Sequence, residues 1–195
     1  MKKNVIIAAA AAVILIVFLA MNCLVIEKGT ESQYTNVVEF DASADSASDW
    51  DKISAEITDK AVDITTLDLK NLGAGTPVSI KGTVSDYVSK ANGKKNSLTV
   101  APDGYSGTAV ISVQIGSIYS GTAVRDAQTL KAFGDFTNQT EWSQYAKALN
   151  SELDAAAVAP LALDESVKGK EIEITGVATS SGDEVTVTPI AITLK

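Results

Sequence analysis

The chain has 195 residues, a formal net charge of −8, one cysteine and no histidine. This composition excludes a histidine-based catalytic triad, a histidine-ligated zinc site and any disulfide within the chain. A pI near 4.5 argues against a nucleic-acid-binding protein, because such proteins need a basic face to displace counterions from phosphates. Apolar residues make up 46% of the chain, which is enough for a packed core.

The N-terminus has the pattern of an export or membrane-anchoring segment. After Lys2 and Lys3, an apolar run extends from Val5 to Ile26, and Asn22 is its one clearly polar residue. About 20 apolar residues in a helix span the hydrocarbon core of a bilayer. Basic residues ahead of the run favour an N-terminus that stays on the cytoplasmic side. We therefore divide the chain into an N-terminal signal or transmembrane segment, residues 1–26, and an extracytoplasmic domain, residues 27–195.

Three interpretations of this segment remain open: an uncleaved signal anchor, a lipoprotein signal with Cys23 as the acylated residue, and a cleaved secretory peptide. Asn22 departs from the small residue that usually precedes a lipidated cysteine, and the alternative role for Cys23 is an inert thiol. Without Lys2 and Lys3 the chain keeps 14 basic and 24 acidic residues, so residues 27–195 carry a charge of −10. Anionic head groups repel such a domain, which we expect to stand off the membrane.

The first part of the domain is expected to be extended and then helical. Residues 27–46 include a short predicted strand at 37–40. The helical spacing of Trp50, Ile53, Ile57 and Ala61 predicts a helix near 47–61, preceded by a loop rich in Ser, Ala and Asp. A second short helix is predicted at 65–69, and Gly and Pro residues break the chain at 71–77.

From Val78 onward the apolar period changes to two, which predicts strands. One hairpin has strands at 78–84 and 98–100, with a bend or bulge at Gly82 and a turn at Asn92-Gly93. A further strand is predicted at 109–118, and a second hairpin has strands at 172–177 and 185–187. The two hairpins resemble each other, either through an internal duplication or because twisted hairpins make common demands.

A helix is predicted between the hairpins. Asn138 can cap it, and Glu141 stands three residues further on, which is the spacing of a capping box. An apolar stripe follows along one face and ends before Pro160; it consists of Trp142, Tyr145, Ala146, Leu149 and Leu153. Packing of Trp142 and Tyr145 against the sheet is the first interpretation, and a stacking platform for a sugar is the alternative.

These elements predict an α+β fold. The domain is β-rich, with two or three helices, and its strands form either a small OB-like barrel or two hairpin-based sheets. The pattern leaves open whether residues 27–195 hold one barrel or two OB-like halves, at about 27–136 and 137–195.

Three sets of motifs resemble the DUF2291 family of predicted periplasmic lipoproteins over nearly all of residues 27–195. They are FDAS at 40–43, WD at 50–51 and KAVD at 60–63; QIG at 114–116 and GTAVRDA at 121–127; and Phe133, DFTNQ at 135–139 and ALN at 148–150. The resemblance implies an export signal followed by one extracytoplasmic domain. It also implies an accessory role beside sugar ABC transporters, near which members are often encoded, and it transfers no catalytic residues.

A polar cluster within these motifs is the candidate ligand-binding site. Its members flank a strand end, a Gly-Thr turn and a helix start; they are Gln114, Arg125, Asp126, Asp135, Asn138 and Gln139. Arg125, the only arginine in the chain, can hold a carboxylate or phosphate through two parallel hydrogen bonds. The alternative is an internal ion pair of Arg125 with Asp126 or Asp135, together with a helix cap from Asn138.

The sequence therefore predicts a non-enzymatic protein with no cofactor and no metal site. We expect it on the outer face of the cell membrane, anchored by its N-terminus, as an accessory or scaffold protein of a sugar ABC transport system. Its expected partners are the membrane and transporter components or a solute-binding protein, and no nucleic acid. The alternative is a module that binds a sugar or an anion in the Arg125 region.

Overall fold

The computed structural model describes residues 40–90 and 95–195, and Asp41–Lys195 form one compact unit. The predicted signal segment with Cys23, the strand predicted at 37–40 apart from its last residue, and the turn at Asn92-Gly93 lie outside the described residues. Within the described ranges, no helix combines the length and the apolar character needed to cross a membrane.

Three helices and six strands make up the described fold. Their bounds, in chain order, are α1 Ala42–Lys60, β1 Val62–Asp63, β2 Thr76–Val88, β3 Ser97–Pro102, β4 Val110–Gln114, α2 Ala123–Ala127, α3 Gln139–Leu153, β5 Glu171–Ser181 and β6 Glu184–Leu194. Short 3₁₀ turns and one π turn, Asp154–Val158, join them.

Five of these strands close into a barrel because β2 is shared by two neighbours. Its first part, residues 76–83, pairs antiparallel with β5, and its second part, residues 82–88, pairs with β3. The circuit continues from β3 to β4, then in parallel to β6, and back to β5. Both similar hairpins thus contribute strands to one barrel, and the predicted barrel class is confirmed.

Two glycines occupy corresponding places in the two hairpins. Gly82 pairs with Pro102 in β3 and with Ile172 in β5, and a Cβ atom there would collide with the backbone oxygen of Ala101. Gly176 pairs with Pro189, and its Cβ would lie 2.6 Å from the backbone oxygen of Thr188. Each hairpin therefore needs a glycine where its partner strand approaches closely.

Several element boundaries differ from the prediction. Helix α1 starts five residues earlier than expected, because the Asp41 carboxylate accepts hydrogen bonds from the backbone N–H groups of Ser43 and Ala44 at 3.0 and 3.1 Å. The predicted loop is a capped helix turn. Strand β4 ends at Gln114 rather than at 118, and the predicted helix at 65–69 is a 3₁₀ turn, Ile64–Thr66.

The core has a barrel part and a helical part. Apolar side chains alternate inward along β2 to β6, while Ile53 and Ile57 of α1 pack with Leu149 and Leu153 of α3, all fully buried. Tyr145 is buried between the two helices and donates a hydrogen bond of 2.9 Å to the Asp49 carboxylate. The connection between β4 and β5, residues 115–170, is thereby held against α1.

Candidate functional site

The predicted ligand-binding residues divide into three local groups in the structure. Gln114 ends β4, Arg125 and Asp126 lie in α2, and the other three stand at or just before the start of α3. Each group makes its hydrogen bonds mainly within its own stretch of chain, as the following contacts show.

The guanidinium of Arg125 is occupied by the fold itself. Its Nε and Nη2 atoms donate to Asp126 Oδ1 at 2.8 and 2.6 Å, and its carbon lies 4.4 Å from the centre of the Trp142 ring. Asp126 Oδ2 accepts from the Thr122 hydroxyl at 2.6 Å. The Asp126 carboxylate and the Trp142 ring thus both contact the guanidinium of Arg125. This is the internal ion pair of Arg125 with Asp126 that the sequence offered as the alternative to a ligand site.

Gln114 fixes the turn that follows β4. Its side-chain oxygen accepts from the Ser120 N–H at 2.7 Å, and its amide nitrogen donates to the Ser120 carbonyl at 3.2 Å and to the Thr188 hydroxyl at 2.9 Å. This amide thus ties the turn at Ser120 to the end of β4 and to Thr188 of β6.

The residues before α3 form its cap. Asn138 Oδ1 accepts from the Glu141 N–H at 3.0 Å, so the predicted cap by Asn138 is confirmed. Glu141 accepts from the Thr137 N–H at 2.9 Å and not from the Asn138 N–H that a capping box would use. Asp135 accepts from the Ala132 N–H at 2.8 Å within a 3₁₀ turn, and Gln139 is exposed.

Arg125 lies over an aromatic cluster. Trp142 lies 4.9 Å from Phe136 and 6.2 Å from Tyr145 between ring centres, and Phe133 meets it edge-on at 6.5 Å. Tyr145 is fully buried, as predicted, while Trp142 is half-buried under Arg125 rather than packed inside the barrel. We name the surface formed by Leu130, Phe133 and Trp142 the 130–133 surface; Phe133 is 54% and Leu130 40% exposed.

A groove of about 490 Å³ lies elsewhere in the same connection. One wall is Ser117, Ile118 and Tyr119, and the other comes from the end of α3 and the π turn. The Tyr119 hydroxyl donates to Asp154 Oδ1 at 2.8 Å, and burial together with this carboxylate raises the pKa of Tyr119 well above its usual value.

Sequence reasoning did not select this groove. One signal was present: α3 has no basic residue in its last turn and is followed by Asp154, although a carboxylate at a helix C-terminus is unfavourable. Among residues 40–90 and 95–195, no group of three or more His, Cys, Asp or Glu side chains is placed to hold a metal ion.

Comparison with solved structures supports the barrel. An OB-fold protein from Thermotoga maritima matches with a TM-score of 0.57 and 13% sequence identity, over 81% of this chain and all of that one. An OBody bound to hen egg-white lysozyme matches with a TM-score of 0.35 and 15% identity, over 69% of this chain and 94% of that one, which is too weak to support an argument. The first match shows an OB-like fold and nothing about activity.

Comparison at the sequence level gives the family. No curated protein sequence matches the chain. The profile of one family, described as predicted periplasmic lipoproteins, matches residues 71–193. The family implies an extracytoplasmic, membrane-associated protein, and the chain belongs to this family, DUF2291.

Proposed function

We propose that the protein is a membrane-anchored accessory protein without enzymatic activity that contacts a protein component of a sugar ABC transport system outside the cytoplasm. Membership of a family of predicted periplasmic lipoproteins supports the location. The absence of histidine from the sequence, together with the internal engagement of Arg125, supports a role in binding rather than catalysis.

The 130–133 surface is the observation that carries this proposal. Phe133 and Leu130 are exposed, yet Phe133 is held edge-on by Trp142, which Phe136 and Arg125 support in turn. An aromatic side chain held in place before binding loses little conformational entropy in a complex. Such rigid aromatic anchors commonly dominate the energy of protein interfaces.

The negative charge of the domain favours a protein, and not a lipid surface, as the partner of the 130–133 surface. Residues 27–195 carry a charge of −10, which opposes contact with anionic lipid head groups. Near Phe133 in the chain, Asp126 is paired with Arg125, and Lys131 and Asp135 carry opposite charges, so the complementary partner surface is chiefly apolar. The exposed face of a transporter subunit or its solute-binding protein is the partner we expect.

Co-purification tests the proposal. The full chain, extracted with detergent from its native membranes, should bring down a permease or a solute-binding protein identified by mass spectrometry. Phe133→Ser should lose that component, whereas Val110→Ser, at a 51% exposed valine of β4, should retain it. Repeated recovery of the chain alone, or equal recovery of the component by both variants, contradicts the proposal.

The form of the anchor is tested separately by the intact mass of the membrane-extracted protein. A chain that begins at Cys23 with a diacylglyceryl adduct identifies a lipoprotein, in keeping with the family description. An unmodified chain that begins at Met1 identifies an uncleaved signal anchor. A chain found in soluble form after cleavage of its leader contradicts anchoring of either kind.

A further inference from the structure

The groove beside Tyr119 is separate from the 130–133 surface. Its walls are the segment 117–119, which follows β4, and the C-terminal end of α3 with the π turn; the residues of the 130–133 surface do not line it. Its volume of about 490 Å³ lies in the range of small-molecule sites. It also lies outside the strands of the barrel.

The groove is built on a rigid frame. The backbone N–H of Asp154 donates to the backbone oxygens of both Asn150 and Ser151. The backbone oxygen of Asp154 accepts from the Ala159 N–H in the π turn. The Tyr119 hydroxyl holds the carboxylate from the opposite wall at 2.8 Å. Single π turns inside helices are frequent at functional sites, since they redirect side chains without ending the helix.

Several polar atoms of the groove are left without a partner. Within the part of the chain that the structure describes, Asp154 Oδ2 accepts no hydrogen bond and Lys147 makes no ion pair. Asn150 donates its amide nitrogen to the Gly121 carbonyl at 3.3 Å, and its amide oxygen is unused among the same residues. Carboxylate and amide oxygens accept hydrogen bonds, and an ammonium group donates them.

These groups define the charge of the ligand. Asp154 and Lys147 are the ionisable side chains of the groove besides Tyr119, and their charges cancel. Tyr119 stays protonated, so it adds no charge, and Ile118 contributes an apolar side chain that is 43% exposed. A ligand with a net charge gains nothing from this balance, whereas a neutral molecule with many hydroxyl groups can donate to the oxygens and accept from Lys147.

We propose that the Tyr119–Asp154 groove binds a neutral polyhydroxyl molecule, a monosaccharide or a cyclic polyol. One hydroxyl donates to Asp154 Oδ2, a neighbouring hydroxyl donates to the Asn150 amide oxygen, and Lys147 donates to a third oxygen. The carbon face of the ligand lies against Ile118. Binding here needs no contribution from Arg125, whose guanidinium is engaged by Asp126.

Calorimetry on the full chain tests this assignment. The protein is kept in a zwitterionic detergent that has no sugar head group. It is titrated with glucose, galactose, ribose, xylose and myo-inositol as the neutral probes, with alanine as a zwitterionic probe, and with inorganic phosphate as a charged probe. At least one neutral probe should bind saturably. Asp154→Asn should weaken that binding by at least about tenfold, because a hydrogen bond to a charged group is lost.

Two further variants keep the result interpretable. Asp51→Asn makes the same charge change on the exposed face of α1 and should leave the affinity unchanged. Tyr119→Phe frees the Asp154 carboxylate and should change the affinity without unfolding the protein, which circular dichroism checks. The assignment is overturned if no neutral probe binds, if only alanine or phosphate binds, or if Asp154→Asn binds as tightly as the wild type.

Discussion

The barrel and the connection between β4 and β5, residues 115–170, both bury apolar side chains, but three of the five large hydrophobic side chains that the described residues expose lie in the connection. In the barrel, β2 is paired on both sides and its inward apolar side chains, such as Val78 and Ile80, are at most 1% exposed. In the connection, Ile118, Leu130 and Phe133 are 40–54% exposed, and Asp154 faces a groove. The comparison favours the proposal that the barrel supplies rigidity and the connection supplies the binding surfaces.

The largest expected effect concerns the barrel glycines. Gly82→Ala and Gly176→Ala each force a Cβ atom onto a backbone oxygen of the neighbouring strand and should lower the free energy of unfolding by at least about 2 kcal/mol. Gly134→Ala, in the connection, meets no atom within 4 Å and has no positive φ, so it should leave stability unchanged or raise it by about 0.5 kcal/mol. Urea unfolding followed by tryptophan fluorescence measures all three. Equal destabilisation by the three variants would contradict the distinction between a closely packed barrel and a more open connection.

The next effect concerns the bond that joins α1 to the connection. Tyr145→Phe leaves the buried Asp49 without its donor at 2.9 Å and should cost about 1.5–3 kcal/mol of unfolding free energy. Tyr119→Phe removes a similar bond at the edge of the groove, where water can reach Asp154, and should cost less than Tyr145→Phe. Urea unfolding at neutral pH ranks the two variants, and the reverse order would contradict this account of the interface.

Stability at alkaline pH gives a second test of the bond between Tyr145 and Asp49. Burial and the neighbouring Asp49 carboxylate raise the pKa of Tyr145, while in the unfolded chain its pKa is about 10. The unfolded state therefore loses this proton first, and the stabilisation present below about pH 10 is lost as the pH rises beyond that value. Tyr145→Phe should flatten the decline in urea midpoint above about pH 10, and an unchanged slope would contradict the assignment.

Arg125 tests whether the ion pair in α2 belongs to the fold or to a ligand. Arg125→Ala removes its bonds to Asp126 and its contact with Trp142 and should cost about 1–2 kcal/mol of unfolding free energy. Arg125→Lys keeps the charge but loses the paired hydrogen bonds, so it should fall between the wild type and alanine. If Arg125→Ala unfolds like the wild type but abolishes a thermal shift with a sugar acid or phosphate, the ligand-binding alternative is correct.

The smallest effect on stability is expected at Phe133. Because this ring is 54% exposed, Phe133→Ser should change the free energy of unfolding by no more than about 0.5 kcal/mol. A much larger loss of unfolding free energy would show that the Phe133 ring stabilises the fold by packing. The 130–133 surface would then be a structural feature, as the barrel core is, and not a binding surface.

Local patterns were enough to predict the main elements. The alternating apolar residues of β2 and β5 and the Asn138 cap of α3 depend on neighbours in sequence, and the structure confirms them. The early start of α1 was missed because its Ser- and Asp-rich turn has low helix propensity, which the Asp41 cap offsets. After the end of β4, Gln114 reaches Ser120 and Thr188, and no local period encodes these contacts.

The candidate sites show the same limit. Arg125 was selected because it is the only arginine, yet its partner is the adjacent Asp126, so residue type alone did not separate an ion pair from a ligand site. The groove depends on Tyr119 meeting Asp154, 35 residues later in the chain. A contact of that separation follows from the folded topology and not from either local sequence.

Site-specific photo-crosslinking in native membranes tests the central claim most directly: that the connection, and not the barrel, contacts a transport component. A photoreactive amino acid at Phe133 should yield a covalent product with a permease or solute-binding protein, identified by mass spectrometry. The same group at Val110 of β4, which is similarly exposed, should yield none. Crosslinking of that component from Val110 but not from Phe133 would contradict the account.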